Sequence, residues 1–338
     1  MDIFDQPCYK TTKNLATLIG RWPYQPQKQS SIIITILWIG FFLQAIPQSF
    51  ALVMYADDRE VFIEAISTYA VDIVLAAKYL NATYHAKLIR NLFDKVQRDW
   101  KLVMNDEEKR VLQYHSEIGR LLTIGYTVFI FGIIACDVIF ITLLQHICGQ
   151  FAVLGHRIEN TPTAEITTKN GKEEFSNSQK IYHDVSYQHL VSCIQMHTRA
   201  IEFAELLEEC FAMSFGVLVG LNLPMISLTG FQIITQSNTV QQILKGLTFI
   251  CGQMLHLFFD CYMSQKLNDS SSQIAQSIAN VDWYKQSIRS QKLLVVMTVR
   301  SQVPCKLTAS KIMDLSIENY AMMLKTAGSY FTMLLSMQ

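Results

Sequence analysis

The chain has 338 residues, of which half are apolar and 17% are charged, and its 28 basic residues balance 28 acidic ones. Soluble domains carry about 25% charged residues, so this composition favours a membrane protein. A zero net charge excludes the overall basic field typical of nucleic-acid binding, and eight scattered cysteines without a C-x-x-C pair predict no disulfide framework.

The first 55 residues predict a cytosolic segment followed by a first membrane span. Residues 1–30 are polar and basic, and they lack a short apolar core with a small-residue cleavage site, so we expect no signal peptide. Residues 31–55 form a long uncharged run that contains Pro47. Such a run is long enough to cross a bilayer, with a kink at the proline.

Residues 61–80 predict a second span that carries charges. Glu64, Asp72 and Lys78 lie within it, and ionisable side chains at that depth need a partner, a cavity or an interface. The following stretch, residues 81–120, is helical in rhythm and contains eight basic residues. It is therefore expected in the cytosol.

Residues 121–154 form about 34 nearly unbroken apolar positions, too many for one straight span and just short of two. One interpretation is a tight hairpin of two abbreviated helices, about 118–135 and 136–156, that turns near Gly132 to Asp137. The other is a single span that inverts everything downstream. Inversion would place the basic stretch 266–311 outside the cell, so the charge distribution favours the hairpin. A lost exon, with a product that misfolds, is a third explanation of the short run.

The second half of the chain predicts three more spans. Residues 210–234, kinked near Pro224, and residues 240–262 are joined by a few polar residues, so these two helices should be antiparallel neighbours. A polar, cytosolic loop precedes them, and a basic, amphipathic stretch follows them from residue 263. The periodicity of that stretch by itself predicts a helix on the membrane surface.

The last span, about 316–337, is apolar but has one polar face. Steps of seven, four, three and four place five side chains on a single helical stripe: Glu318, Lys325, Ser329, Thr332 and Ser336. Facing this stripe to lipid would cost several kcal/mol, so it should face protein or water. Packing within a bundle is the ordinary explanation, and lining a conduit is the alternative.

Several segments resemble the insect odorant receptor family. The most specific is the C-terminal run from Ser301 to Gln338, including SIENYAMMLKTAGSYFTMLLSMQ. The others are RDWKLVMNDEEKRVLQYHSEIGRLLT, GRLLTIGYTVFIFGI, the run CDVIFITLLQHICGQFAVLGHRIEN from Cys136 to Asn160, and Trp283-Tyr284 with the LLVVM core that follows. The resemblance implies an all-α, seven-span transmembrane bundle with a cytosolic N-terminus and an extracellular C-terminus in the plasma membrane. It further implies that this chain lacks part of the third span and the long second extracellular loop, so that spans 3 and 4 are abbreviated.

The family resemblance also implies a function and a division of the chain. Residues 1–262 would form the ligand-binding bundle, and residues 263–338 the anchor helices and the pore-lining span. The chain would tune a heteromeric, tetrameric, non-selective cation channel to small volatile odorants in olfactory neurons, together with co-receptor subunits and membrane lipid.

Gate and ligand-binding residues follow from the same resemblance. The gate residues would be Met333, Met337, Ser336 and Ser329. The ligand-binding residues would be Ser67, Tyr69, Tyr126, Phe129 and Phe140, each with plain bundle packing as the alternative.

Other classes of protein are less well supported. No phosphate loop, H-E-x-x-H or G-x-S-x-G motif indicates an enzyme or a cofactor, and His146 and Cys148 lie on different helix faces and predict no metal site. A G-protein-coupled receptor would place the N-terminus outside, against the distribution of basic residues. A non-functional truncated receptor remains the other alternative.

Overall fold

The computed structural model describes residues 3–54, 59–102, 106–129, 134–162, 185–235 and 239–337, and almost all of them are helical. The α-helices of these residues are α1 (Pro7–Leu18), α2 (Gln27–Met54), α3 (Arg59–Tyr84), α4 (Ala86–Leu102), α5 (Asp106–Phe129), α6 (Ile134–Glu159), α7 (Val185–Thr235), α8 (Val240–Ala279), α9 (Ile288–Ser301) and α10 (Ile317–Ser336). Two one-turn 3-10 helices cover Ile3–Asp5 and Trp283–Lys285. The predicted all-α bundle is confirmed.

The N-terminal helix folds back onto the bundle because its end is capped by a glycine. Gly20 has a φ of +71°, and the amides of Gly20 and Arg21 donate to the carbonyls of Thr17 and Ala16. This pair of bonds is a Schellman motif, which satisfies two free carbonyls at the helix end. The turn leads into α2 and leaves α1 against α5 and α6.

Helix α6 is the centre of the bundle and is buried from Asp137 to Phe151. It packs antiparallel against α5, because Gly119 lies beside Gln145 while Gly149 lies beside Leu112. Both glycines allow close approach of the two helix axes. This packing agrees with the hairpin interpretation, although residues 130–133, which would make most of the turn, lie outside the described residues.

Helices α7 and α8 are much longer than a bilayer is thick, at about 76 Å and 60 Å for 1.5 Å per residue. They contain the predicted spans 210–234 and 240–262, and both continue past them on the same side. The boundary proposed at residue 262 therefore falls inside one unbroken helix. A capping box between Thr239 and Gln242 starts α8 directly after the connection to α7.

A small hairpin that the sequence did not predict joins α9 to α10. Strand β1 (Thr308–Ala309) pairs antiparallel with β2 (Met313–Asp314). Ser310 and Lys311 adopt left-handed φ values of 52° and 59°, and the Ser310 amide donates to the Ala212 carbonyl of α7 at 2.8 Å. This hydrogen bond fixes the hairpin, and with it the start of α10, to the long helix.

Three helical segments of the described residues are both long and apolar enough to cross a membrane: Gln27–Met54, Asp137–Glu159 and Val185–Thr235. Helix α2 exposes most of its apolar side chains and packs mainly on α3, as expected of a helix at the rim of a bundle in lipid. The other predicted spans fall on α3, α5, α8 and α10, which carry more polar side chains.

Candidate functional site: a buried ion cluster and an exposed polar helix face

Four ionisable side chains meet in the middle of the bundle, where α3, α6 and α8 come together. Lys78 Nζ lies 2.6 Å from Asp137 Oδ1 and 2.8 Å from His256 Nε2, and His256 Nε2 lies 3.3 Å from Asp137 Oδ2. Asp260, one turn beyond His256 on α8, completes the group. We call Lys78, Asp137, His256 and Asp260 the ion cluster.

All four members of the ion cluster are buried, but they differ in how many hydrogen bonds their polar atoms make. Asp260 is 1% exposed, and neither of its carboxylate oxygens has a hydrogen-bond partner among the described residues. The nearest ionisable nitrogen atoms are His256 Nε2 at 3.7 Å and Lys78 Nζ at 4.0 Å. Ionisable side chains inside a membrane protein are costly to bury, and they are retained where they mark function or hold helices together.

The charged residues in the second predicted span differ in their surroundings. Lys78 finds its partner in Asp137 of α6, as described above. Asp72 accepts two hydrogen bonds of 3.2 Å from Gln44 Nε2, which tie α3 to the rim helix α2. The side chain of Glu64 is outside the described part of the structure.

A small cavity lies beside the ion cluster, between α3, α7 and α8. Its volume is about 10 Å³, and His256 contributes to both the cavity and the cluster. The walls combine apolar side chains with two amides: Ala70, Val71, Val74, Leu221, Asn222, Met225 and Gln253. Such a mixture of apolar walls and few polar groups is typical of sites for small molecules, although this cavity admits only about one water.

A second polar network joins α1 to α4, α5 and α6. Tyr9 Oη lies 3.2 Å from Ser116 Oγ and accepts a hydrogen bond from Trp100 Nε1 at 3.0 Å, while His146 Nε2 lies 3.1 Å from Asp99. Burial raises the pKa of Tyr9 above its ordinary value. His146 is a buried core residue held by its contact with Asp99.

The described side chains among the predicted ligand-binding residues, those of Tyr69 and Phe140, do not line a common cavity. Phe140 is fully buried, with its ring 5.2 Å from that of Phe211 and 5.1 Å from that of Phe215, so it packs α6 on α7. Tyr69 is half-buried on α3, and neither residue lines the cavity. Ser67, Tyr126 and Phe129 lie on α3 and α5, and their side chains are outside the described part.

The last helix, α10, exposes its polar stripe and buries the opposite face. Met323 and Ala327 pack on α7 and α8, and Ser227 Oγ donates to the Ala327 carbonyl at 2.8 Å. All five members of the predicted stripe are exposed, including Ser329 and Ser336. Packing within this chain therefore does not explain the stripe.

Met333 and Met337 lie at the border of the stripe rather than at its centre. They are 58% and 75% exposed, and both line an apolar groove of about 510 Å³ between α10 and α7. Pro224 and Tyr330 contribute to the same groove. The gate assigned to the two methionines stays a prediction, with this placement as its structural context.

Sequence reasoning missed His256, Asp260 and Asn222 as site residues. Asp260 interrupts the apolar run LHLFFDCYM, and an ionisable residue inside a predicted span is by itself a signal of a functional position. His256 and Asn222 carry no comparable signal, because both occur often as ordinary core residues of helices. Their importance depends on which helices become neighbours.

The fold and its buried charges define a multi-pass membrane protein, and comparisons with known proteins give the family. A family model described as "7tm Odorant receptor" matches residues 121–328, which is more than half of the chain. The chain belongs to the insect odorant receptor family, which is a family of receptors and not of enzymes.

Individual relatives are distant and longer. The chain is 25% identical to putative odorant receptor 85d of Drosophila melanogaster over 46% of this chain and 37% of the relative, and 26% identical to odorant receptor 13a of the same insect over 59% and 48%. The matched part of the chain thus spans half or less of the length of each of these curated relatives.

A solved structure supports the fold. The insect olfactory receptor OR5 from Machilis hrabei, in complex with eugenol, superposes with a TM-score of 0.78 and covers 97% of this chain and 98% of its own, at 10% sequence identity.

Proposed function

We propose that the chain is the odour-tuning subunit of a ligand-gated, non-selective cation channel that it forms with co-receptor subunits in the plasma membrane of olfactory neurons. Small volatile odorants would bind within residues 1–262, and residues 263–338 would supply the anchor and the pore-lining helix. The N-terminus would be cytosolic and the C-terminus extracellular, in keeping with the positive-inside tendency.

The observation that carries this proposal is the exposed polar stripe of α10. Its five polar side chains point away from α7 and α8, and at membrane depth such a face needs water or protein. A ring of subunits that brings the stripes together around an axis would satisfy them with pore water. Met333 and Met337 would then form an apolar constriction that gates by excluding water, with Ser329 and Ser336 as hydrophilic positions.

The anchor assignment is supported by an apolar surface on α9. Val295, Val296, Val299 and, just beyond the helix, Val303 are exposed, while Leu294 and Met297 pack inward. A contiguous exposed apolar patch on a cytosolic helix favours contact with another subunit. Trp283 and Tyr284, also exposed, extend the same region.

Cysteine accessibility during current recording tests the pore assignment. In cells that express the chain with the co-receptor, Ser336→Cys should make the odour-evoked current sensitive to a charged thiol reagent applied from outside. Leu335→Cys, its neighbour outside the stripe, is the matched control and should be insensitive. Equal sensitivity of the two variants, or modification of Ser336→Cys without change in current, would count against a pore-lining stripe.

A truncated receptor that does not respond to odour is the second candidate, because the α5–α6 pair is short. Asp137 of α6 and His256 of α8 are neighbours in the ion cluster. Helix α6 begins only one turn before Asp137, whereas α8 begins at Val240, about 24 Å along the helix before His256. The described outer part of the bundle is thus built without α5 and α6. Surface labelling separates the candidates: surface protein without current, restored by a family-length loop between α5 and α6, would establish the truncated form.

A further inference from the structure

The turn between α1 and α2 contains side-chain donors for which the chain supplies no acceptor. Nε and Nη2 of Arg21 and Nε2 of Gln25 are buried, and none of them has a hydrogen-bond partner among the described residues. Buried donors without a partner are rare in proteins, and a charged donor is the most costly to leave in that state. These nitrogen atoms therefore indicate an acceptor from outside the chain.

Contacts of the same turn place Arg21 where the chain enters the membrane. The preceding residue, Gly20, is so close to α2 that an added Cβ atom would lie 3.1 Å from the Ser30 carbonyl and 3.2 Å from Ile33. Ser30 Oγ also donates to the Gly20 carbonyl at 2.7 Å. Residues 31–54 are the uncharged, apolar part of α2. Arg21 therefore lies at the level where this apolar run begins, which is the depth of the lipid head groups.

Tyr79 of α3 holds the guanidinium group at that depth. Arg21 Cζ lies 4.6 Å from the centre of the Tyr79 ring, and the same ring lies 6.0 Å from that of Trp38 in α2. The Tyr79 hydroxyl donates to the Ile19 carbonyl at 3.1 Å, which fixes the ring against the turn. A cation–π contact uses one face of the guanidinium and none of its N–H groups. Because Arg21 is only half-buried, a small rotation of its side chain brings these N–H groups to an acceptor at the surface.

The charges around the turn favour an anion as that acceptor. Lys28 is exposed in the first turn of α2, and Arg90 Cζ of α4 lies 5.6 Å from the centre of the Tyr24 ring. Asp94 contacts the same tyrosine and accepts a hydrogen bond of 2.6 Å from its hydroxyl. Together with Arg21, the two basic side chains outnumber this carboxylate. Arginine binds phosphate especially well, because its planar fork can donate two parallel hydrogen bonds.

We infer that the turn formed by residues 20–26 binds the phosphate of an anionic phospholipid, with the Arg21 guanidinium and the Gln25 amide as donors. A free phosphate offers the same acceptor but no acyl chains. Just deeper in the membrane, α2 exposes apolar side chains in successive turns, against which such chains can pack: Ile32, Ile36 and Ile39. The orientation proposed above makes this a lipid of the cytosolic leaflet, where anionic lipids are enriched. Binding itself does not depend on that orientation.

Thermal unfolding in lipid nanodiscs tests the inference, since a ligand that binds the folded state raises the midpoint. The probe is phosphatidylglycerol, whose charge lies on its phosphate alone, titrated into phosphatidylcholine discs at about 150 mM salt to screen general attraction. We expect the midpoint to rise and to saturate. Arg21→Gln should need about tenfold more phosphatidylglycerol for half of that rise, because it loses charge-assisted hydrogen bonds.

Matched variants separate a site from general attraction to a charged surface. Arg289→Gln, at an exposed arginine of α9, removes the same charge and should keep the wild-type titration. Arg21→Lys keeps the charge but loses the planar fork, so its titration should fall between those of the wild type and Arg21→Gln. Gln25→Leu loses a neutral donor and should weaken the response less than Arg21→Gln does.

Inorganic phosphate, added to phosphatidylcholine discs at the same ionic strength, is the probe for a soluble anion and should leave the midpoint unchanged. Stabilisation by inorganic phosphate equal to that by phosphatidylglycerol would overturn the assignment to a lipid. The inference is also overturned if phosphatidylglycerol has no effect, or if Arg21→Gln and Arg289→Gln lose the response equally. If Arg21→Gln does not fold, Arg21→Lys carries the same test. No current is measured, so failure of the proposed channel function would leave this result intact.

Discussion

Removing the lysine of the ion cluster while keeping its carboxylates should destabilise the fold severely. Lys78→Met removes the ammonium group that lies 2.6 Å from Asp137 and 4.0 Å from Asp260, and leaves two buried carboxylates beside His256. Removing one partner of a buried ion pair costs about 3–5 kcal/mol. We expect a loss of that size in the free energy of unfolding.

The same measurement distinguishes an unpaired charge from a simple change of packing. Lys78→Met combined with Asp137→Leu removes both charges, and such paired apolar replacements are often neutral or stabilising. The double variant should therefore recover most of the stability that the single variant loses. Lys109→Met, at an exposed lysine on α5, is the control and should change the free energy by no more than about 0.5 kcal/mol.

Equilibrium unfolding in mixed micelles, with all four proteins measured in the same detergent ratio, gives the energies needed for this cycle. The reasoning is refuted if Lys78→Met costs less than about 1 kcal/mol, because the lysine then has no unpaired carboxylate to leave behind. It is also refuted if the two substitutions are additive, since residues in direct contact should couple.

Three other sites give sharp expectations. Glu108→Gln, which removes a charge from two 2.6 Å bonds to Arg157, should cost about 1–3 kcal/mol of unfolding free energy, and a variant as stable as wild type would contradict this. Burial lowers the pKa of His115 below its ordinary value near 6.5, so the unfolded chain binds the proton more tightly and stability should fall as pH drops below that value. His115→Gln should flatten that pH dependence, and an unchanged slope would exclude the histidine as its cause. Gly149→Ala would put a methyl group about 2.9 Å from Leu112 and should lower the thermal midpoint by forcing α5 from α6, whereas an unchanged midpoint would show that the leucine yields without cost.

The helices and their approximate bounds could be predicted because their signals are local. Long apolar runs predicted the spans, and a regular spacing predicted the polar stripe of α10 that the structure leaves exposed. The excess length of residues 121–154 over one span likewise predicted the paired helices α5 and α6. Each of these depends on neighbours within about two helical turns.

The ion cluster, the cavity and the β-hairpin depend on contacts between distant parts of the chain. Lys78 and His256 are separated by 178 positions, and nothing near either residue indicates the other. Asn222 becomes notable only because α3 and α8 enclose it without offering an acceptor. Strands of two residues, such as β1, are too short to produce an alternating pattern.

Helix α7 also has a mechanical consequence. Pro224 has no amide hydrogen to donate to the carbonyl of Gly220, so the helix is weakest in bending at that point. From there to Val185 the helix is about 58 Å of nearly rigid rod, along which a bend of only 5° would swing the far end by about 5 Å. Small adjustments of α7 near Pro224 would thus reach its far end magnified, and the hydrogen bond from the Ser310 amide to the Ala212 carbonyl would pass part of that displacement to the start of α10.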